Sequence, residues 1–206
     1  MTTPRALNAF GLICGPEPSP QRSSSELLAR KVLDALVEYG VHGTLERTAD
    51  HDITPGVEAD LGGSDGWPAL RERMLAADIF LIATPTRTGN MSAVARRVLE
   101  RLDAELSDTD DTGRTRTYGK VAAAVVVGDE DSAHKISADL FQALNEIGFS
   151  LAPGAVTYCT SEAMDKPYFM DYDSTPEQVA TMTASLAANA AHLARLLATH
   201  PYPPAN

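Results

Sequence analysis

A segment rich in hydroxyl groups, residues 15–25, follows the first apolar run of the chain and leads directly into a helical pattern. The first turn of a helix presents free backbone N–H groups and the positive end of the helix dipole, which suit a phosphate group. The segment lacks the glycine pattern of dinucleotide-binding folds and the Gly-Lys-Ser/Thr of a P-loop. A phosphate bound here would therefore be held by backbone amides and by the side chains of Ser19, Arg22, Ser23, Ser24 and Ser25. Capping of the helix by Ser23 or Ser24 is an alternative role for these hydroxyls.

Two later loops also follow apolar runs and carry polar groups. Residues 84–92 contain three threonines and Gly89, whose amides and hydroxyls suit the polar edge of a flat ligand. Arg87 in this loop either reaches a carboxylate or phosphate of a substrate or points outward to solvent. Residues 128–134 contain three consecutive acidic residues ahead of a helix, where they complement the helix dipole, with a metal site as the alternative.

The elements that must position these loops are short apolar runs alternating with longer amphipathic patterns. Strands are predicted at residues 7–14, 44–48, 79–83, 121–127 and 150–159. Helices are predicted at residues 24–39, 67–77, 91–106, 133–147 and 176–199. This alternation predicts an α/β fold with one parallel sheet and helices on both faces. Ligands bind outside the carboxyl ends of the strands in such a sheet, so the three polar loops are expected at one edge.

The composition is that of a globular protein. The chain has 206 residues, of which 44% are hydrophobic and 22% charged, and its net charge is −11. We expect one domain over residues 1–200 and a proline-rich tail at 201–206. An acidic chain without a basic stripe is not expected to bind nucleic acid or an anionic membrane. The longest apolar run, residues 121–127, is far shorter than the roughly 20 residues that span a bilayer, so we expect a cytoplasmic protein.

Taken in order, the three loops resemble those of the flavodoxin-like NAD(P)H-dependent FMN reductase family. The segments that carry the resemblance are residues 18–28, 83–92, 127–134, 139–145 and 189–197. The resemblance implies a three-layer sandwich whose five-stranded parallel sheet has the order 2-1-3-4-5. It also implies an FMN-dependent oxidoreductase that uses NAD(P)H to reduce flavin, quinone or another small acceptor, and a homodimer or homotetramer. The alanine-rich final helix could pack closely against a symmetry mate.

The resemblance assigns roles to individual residues. Ser19 and the three consecutive serines would surround the FMN phosphate. The ribityl chain and the flavin ring would be lined by Pro85, Thr86, Gly89, Asn90 and Met91. The pyrimidine end of the ring would be bordered by Gly128, Glu130 and Asp131. Hydride chemistry would then belong to the flavin, so no catalytic side-chain acid or base is required.

Three residues in these loops leave a second interpretation open. Glu17, Arg87 and Ser132 stand where the phosphate and ring must fit. The alternative function is that of a flavin-free protein that kept the scaffold and uses the pocket for another small molecule, as an enzyme or as a binding module.

Two further groups of residues lie near strand ends. Cys14 and Cys159 end the first and fifth strands, three steps or roughly 14 Å apart in the expected strand order, so we expect no disulfide between them. Aromatic residues that follow the fifth strand could cover the pocket, meet a partner subunit or simply pack in the fold; they are Tyr158, Tyr168, Phe169 and Tyr172.

Overall fold

The computed structural model describes residues 5–128, 132–160 and 168–203. Its strands are β1 (Leu7–Ile13), β2 (Val41–Arg47), β3 (Ile79–Arg87), β4 (Asn90–Met91), β5 (Val121–Val127) and β6 (Ser150–Cys159). Its helices are α1 (Ser24–Val37), α2 (Trp67–Ala76), α3 (Ala93–Leu102), α4 (Ala133–Glu146) and α5 (Glu177–Thr199).

The five long strands form one parallel sheet in the order β2-β1-β3-β5-β6. This order is the predicted 2-1-3-4-5 arrangement, because β5 and β6 are the fourth and fifth long strands along the chain. The flavodoxin-like fold class is therefore confirmed. The strand order reverses beside β1, so the carboxyl ends of β1 and β3 flank the crevice where ligands of such sheets bind.

The segment after β3 differs from its prediction. The sequence predicts a strand over residues 79–83 that ends before Thr84-Pro85, but β3 continues to Arg87 and β4 folds back antiparallel against it. The turn between them holds Thr88 at φ 51° and Gly89 at φ 71°, and two successive left-handed residues are what a type I′ hairpin turn requires. Residues 91 and 92 consequently precede α3 instead of beginning it, and Ser92 caps the helix by accepting a hydrogen bond from the Ala95 amide.

Each face of the sheet is covered by helices. One core layer packs α1 and α5 against the sheet, and the other packs α2, α3 and α4 against the opposite face. All seven residues of β5 are buried, as expected for a strand covered on both sides. The alanine face of α5 lies within the chain's own core, where its buried members are Ala187, Ala190, Ala191 and Ala194.

The long connection between β2 and α2 is fastened to α3 by one buried ion pair. Arg101 and Asp65 have fully buried side chains, and the guanidinium donates to both carboxylate oxygens at 3.0 and 2.7 Å. Arg101 also donates to the carbonyl oxygens of Thr54 and Glu58. Burial acts to raise the pKa of Asp65, but the bonds from Arg101 and from two backbone amides lower it to about 2.

The two cysteines are buried and unpaired. Burial raises the pKa of Cys14 far above that of a free thiol and raises the pKa of Cys159 to about 11, so both stay protonated at neutral pH. They belong to opposite core layers, as small apolar side chains. None of the helices in the described parts of the chain is both long and apolar enough to cross a bilayer.

Candidate functional site

A cavity of about 340 Å³ opens at the carboxyl-end edge of the sheet. Its walls come from the loop after β1, the start of α1, the end of β3, the end of β5 and the segment before α5. The lining residues are Glu17, Arg22, Ser23, Ser24, Ser25, Pro85, Arg87, Val127, Gly128, Tyr168, Phe169 and Met170. Seven of the predicted site residues therefore meet in one cavity, although they come from three separate loops.

The start of α1 supplies hydrogen-bond donors to this cavity. The hydroxyl of Ser23 caps the helix by accepting a bond from the Glu26 amide at 3.3 Å, so this serine fills the capping role that the sequence also allowed. The amides of Ser24 and Ser25 precede the first intrahelical bond, which runs from Leu27 to the Ser23 carbonyl. Both serines line the cavity, and their amides are suited to an anion at the positive end of the helix dipole.

The loop after β1 is held in place by two side chains, one from the last residue of β2 and one from just after that strand. Arg47 donates to the carbonyl oxygens of Glu17 and Pro18 at 3.2 and 2.9 Å and also pairs with the Glu26 carboxylate. Asp50 accepts the amide and the hydroxyl of Ser19 at 2.7 and 2.6 Å. Ser19, predicted beside the phosphate, therefore lies outside the cavity lining and fastens the loop.

The ends of β1 and β3 are joined through Ser92. Its hydroxyl donates to the Cys14 carbonyl at 2.5 Å, and its amide donates to the Thr84 hydroxyl at 3.0 Å. Because Ser92 is buried and caps α3, these contacts tie the start of that helix to the sheet.

At the cavity wall formed by the end of β5, the missing side chain of Gly128 leaves room for Thr86. A Cβ built at Gly128 would lie 1.6 Å from the Thr86 hydroxyl oxygen and 2.6 Å from its Cβ, distances that no side chain tolerates. Thr86 is 1% exposed, and its hydroxyl has no hydrogen-bond partner among the residues that the structure describes. The backbone of Gly128 thus borders the cavity directly, with an unsatisfied hydroxyl behind it.

Gly128→Ala is expected to destabilise the fold by about 1–3 kcal/mol or more, because the new methyl group overlaps Thr86. Urea unfolding measures this loss. All three atoms nearest to the new methyl group belong to Thr86, so the same alanine should cost markedly less in a Thr86→Gly background. An equal loss of stability in both backgrounds would show that overlap with Thr86 is not the reason why position 128 needs glycine.

Glu17 and Arg87, which the sequence placed in different loops, meet at the cavity. Their charged groups are 4.0 Å apart, and Arg87 also donates to the Thr86 carbonyl at 2.9 Å. Arg22, the third charged residue of the lining, donates to the Met170 carbonyl at 2.7 Å. Counted over the described lining residues, two arginines and one glutamate give one excess positive charge, in a protein whose net charge is −11.

The aromatic segment before α5 contributes to the cavity, although the site prediction did not include it. Tyr168 is largely exposed at the cavity, whereas Phe169 is buried beneath it. The amide of Met170 donates to the Ser24 hydroxyl at 3.3 Å, which joins this segment to the start of α1. The cluster of aromatic residues after β6 was the available signal, but nothing in its spacing distinguished cavity lining from packing.

Three further predicted residues, all in the described part of the chain, lie outside the cavity lining. Asn90 is engaged in the β3–β4 hairpin, where it donates to the Thr88 carbonyl and accepts a bond from Lys135. Met91 is buried in the core layer with α2, α3 and α4. Gly89 forms the hairpin turn. Glu130 and Asp131, predicted at the pyrimidine end, lie outside the described residues.

Comparison with known proteins identifies the family. Residues 11–163 match the family described as NADPH-dependent FMN reductase. The chain belongs to this family. The resemblance predicted from the three loops is therefore confirmed, and the protein is an enzyme of the oxidoreductase type.

Two curated relatives of this FMN reductase family member are about equally similar in sequence. The 8-demethyl-8-aminoriboflavin-5′-phosphate synthase of Streptomyces davaonensis is 30% identical over 89% of this chain and 76% of its own. A protein of Mycobacterium bovis named divalent metal cation transporter MntH is 31% identical over 87% of this chain. The present chain covers only 27% of the length of that transporter-named protein.

Among the described residues, no group of three or more His, Cys, Asp or Glu side chains is placed to hold a metal ion.

Solved structures agree with the family assignment. The crystal structure of RosB with the bound intermediate 8-demethyl-8-formylriboflavin-5′-phosphate matches with a TM-score of 0.87 at 29% identity, over 96% of this chain and 82% of RosB. The apo form of the NADH:FMN oxidoreductase EmoB matches with a TM-score of 0.67 over 95% and 92% of the two chains. At 16% identity, this second likeness shows the shared fold.

The residues of this family member fit an FMN group. The α1 amides and serine hydroxyls offer donors to a phosphate, and the two arginines of the lining offset the Glu17 carboxylate. The bare backbone at Gly128 and the unsatisfied Thr86 hydroxyl offer a close polar approach to a flat ring edge. A volume of about 340 Å³ lies within the range typical of small-molecule sites.

Proposed function

We propose that this protein is an FMN-dependent oxidoreductase that takes hydride from NAD(P)H and passes electrons to a flavin, a quinone or another small acceptor. The observation that carries the proposal is the cavity itself. One end has the α1 amides and serines, and the other has the open backbone of Gly128. The charged lining residues that the structure describes add up to a net positive charge. When bound, FMN would supply the hydride-accepting centre, and the protein would supply position and electrostatics.

The residues of the chain have distinct tasks in this proposal. Ser24 and Ser25 bind the phosphate through their amides and hydroxyls, while Arg22 contributes positive charge beside them. Pro85 and Gly128 place backbone against the ring. The aromatic side chains of Tyr168 and Phe169 restrict water on the side that leads to α5. Among the described lining residues Glu17 is the one carboxylate, and its pairing with Arg87 reduces its repulsion of an anionic ligand.

A second candidate function treats a riboflavin 5′-phosphate as the substrate itself. The similarity to RosB favours this candidate, because its structure holds 8-demethyl-8-formylriboflavin-5′-phosphate as an intermediate. The synthase of Streptomyces davaonensis is likewise named for a riboflavin 5′-phosphate altered at the 8-position. Both candidates place the same phosphate at α1, and they differ in whether the ring leaves the enzyme chemically changed.

Titration of FMN into the purified protein tests what the two candidates share. Quenching of flavin fluorescence that saturates at one FMN per chain is the expected result, with heat-denatured protein as the control. Absence of saturable quenching would contradict both candidates and favour a flavin-free function.

Turnover distinguishes the two candidates. The protein loaded with FMN is incubated aerobically with NADH or NADPH, with and without a quinone, and the flavin is recovered for mass spectrometry. Oxidation of the nicotinamide nucleotide with an unchanged flavin mass is expected for the oxidoreductase. A changed flavin mass would identify the flavin as substrate and overturn the first candidate.

A further inference from the structure

A second cavity, of about 320 Å³, adjoins the proposed flavin cavity at the start of α1. The two cavities share Arg22, Ser23 and Met170. The other residues lining the second cavity are Pro20, Gln21, Glu26, Leu27, Arg30 and Arg47. A ligand that extends from the flavin cavity past Ser23 therefore enters this second space.

The second cavity is basic in an acidic protein. Within the described parts of the chain, three arginines and one glutamate line it, which gives two positive charges in excess, whereas the whole chain has a net charge of −11. Arginine is the residue best suited to bidentate recognition of phosphate. The local charge thus favours an anion with more than one negative charge.

The three arginines differ in how firmly they are held. Arg47 is 11% exposed and is fixed by the Glu17 and Pro18 carbonyls as well as by Glu26. The Arg30 side chain is 58% exposed and forms an ion pair with Glu26, four residues earlier on α1. Burial acts to raise the pKa of Glu26, but its bonds to Arg47 and Arg30 hold it below its ordinary value.

Arg30 is accordingly the cation that an incoming anion can recruit. An ion pair four residues apart on a helix is weak when its cation lies mostly in solvent, as Arg30 does here, so exchanging Glu26 for a phosphate costs little. Glu26 keeps its bonds from Arg47 when Arg30 turns away. Pro20, Leu27 and Met170 add an apolar surface next to these charges, which suits the sugar and base of a nucleotide.

We propose that the second cavity binds the phosphate-bearing half of the nicotinamide dinucleotide, with Arg30 contacting its phosphates. The inference rests on the proposed oxidoreductase function. A hydride donor must place its nicotinamide at the flavin cavity, so its pyrophosphate and adenosine have to lie outside that cavity. The second cavity adjoins the first, is basic and has an apolar side, as this half of the donor requires.

Calorimetric titration of ADP into the FMN-saturated protein tests the site without turnover, because FMN occupies the first cavity. The wild-type protein is expected to bind ADP. Arg30→Gln is expected to weaken ADP binding about tenfold, as for one charge-assisted contact. The matched control is Arg96→Gln, which removes an exposed arginine of α3 that also pairs four residues along its helix, with Glu100, and is expected to leave ADP affinity unchanged.

Kinetics give a second measurement on the same variants. Arg30→Gln is expected to raise the KM for the nicotinamide donor about tenfold while the FMN affinity and kcat stay near the wild-type values. Failure of the wild-type protein to bind ADP, or an equal effect of the two glutamine substitutions, would overturn the proposal.

The same titration distinguishes failure of the proposed oxidoreductase function from failure of the anion site. If FMN does not bind, ADP is titrated into the protein alone. Arg30-dependent ADP binding would then support an anion site in the second cavity and refute its assignment to a hydride donor.

Discussion

Replacing Arg101 by methionine is expected to lower the free energy of unfolding by about 3–5 kcal/mol. Arg101 and Asp65 have no exposed side-chain surface, and the guanidinium binds both carboxylate oxygens. Removing the cation leaves the Asp65 charge buried without its partner. The substitution also frees the Thr54 and Glu58 carbonyls that Arg101 holds, so the long connection between β2 and α2 loses its fastening to α3.

Urea unfolding measures this loss, with Arg96→Met as the matched control. Arg96 lies on the same helix with a 67% exposed side chain, so its replacement is expected to change the free energy of unfolding by no more than about 0.5 kcal/mol. Similar small losses in both variants would show that the buried pair contributes no more than a surface arginine.

The pH dependence gives the same prediction a distinct signature. The pKa of Asp65 is lowered to about 2, whereas an unfolded aspartate titrates near 3.9. The stabilisation from the pair is therefore complete above about pH 4 and is lost as the pH falls toward 2. The difference in stability between the wild-type protein and Arg101→Met is expected to narrow over that interval.

The sheet could be predicted because each long strand has a local signal. β5 is apolar at every position, and the structure buries all seven of its residues between two helical layers. The extension of β3 was missed because Thr84-Pro85 is locally a stop signal. The strand nevertheless continues, because Thr86 pairs with Met91 across the hairpin. The turn of that hairpin holds Thr88 and Gly89 in left-handed conformations.

The site was partly predictable for a similar reason. Serines ahead of a helix are visible in the sequence, and three of them line the cavity. The approach of Arg87 to Glu17 joins residues 70 positions apart and depends on the relative placement of two loops. The contacts of Asp50 with Ser19 depend in the same way on how β2 lies beside β1. Spacing along the chain contains no information about such contacts.

The combined substitution Ser24→Ala and Ser25→Ala is expected to weaken FMN binding about tenfold to hundredfold. This corresponds to roughly 1.5–3 kcal/mol for hydrogen bonds to a charged group. The backbone amides remain, so some phosphate affinity is retained. The Ser24 hydroxyl also accepts the Met170 amide, and its loss loosens the aromatic segment before α5. Flavin fluorescence quenching measures the affinity.

Riboflavin separates these two consequences, because it has the same ring and lacks the phosphate. If the serines act on the phosphate, the double variant loses affinity for FMN and keeps its weaker affinity for riboflavin. If they act by holding the Met170 segment, affinity for both ligands falls by the same factor, which would contradict the phosphate assignment. The control variant combines Ser64→Ala with Ser107→Ala, which replace two exposed loop serines. The Ser64 hydroxyl donates a hydrogen bond to the Asp52 carboxylate, and that of Ser107 donates to the Ala104 carbonyl. Because neither lines the cavity, that variant is expected to bind both flavins as the wild-type protein does.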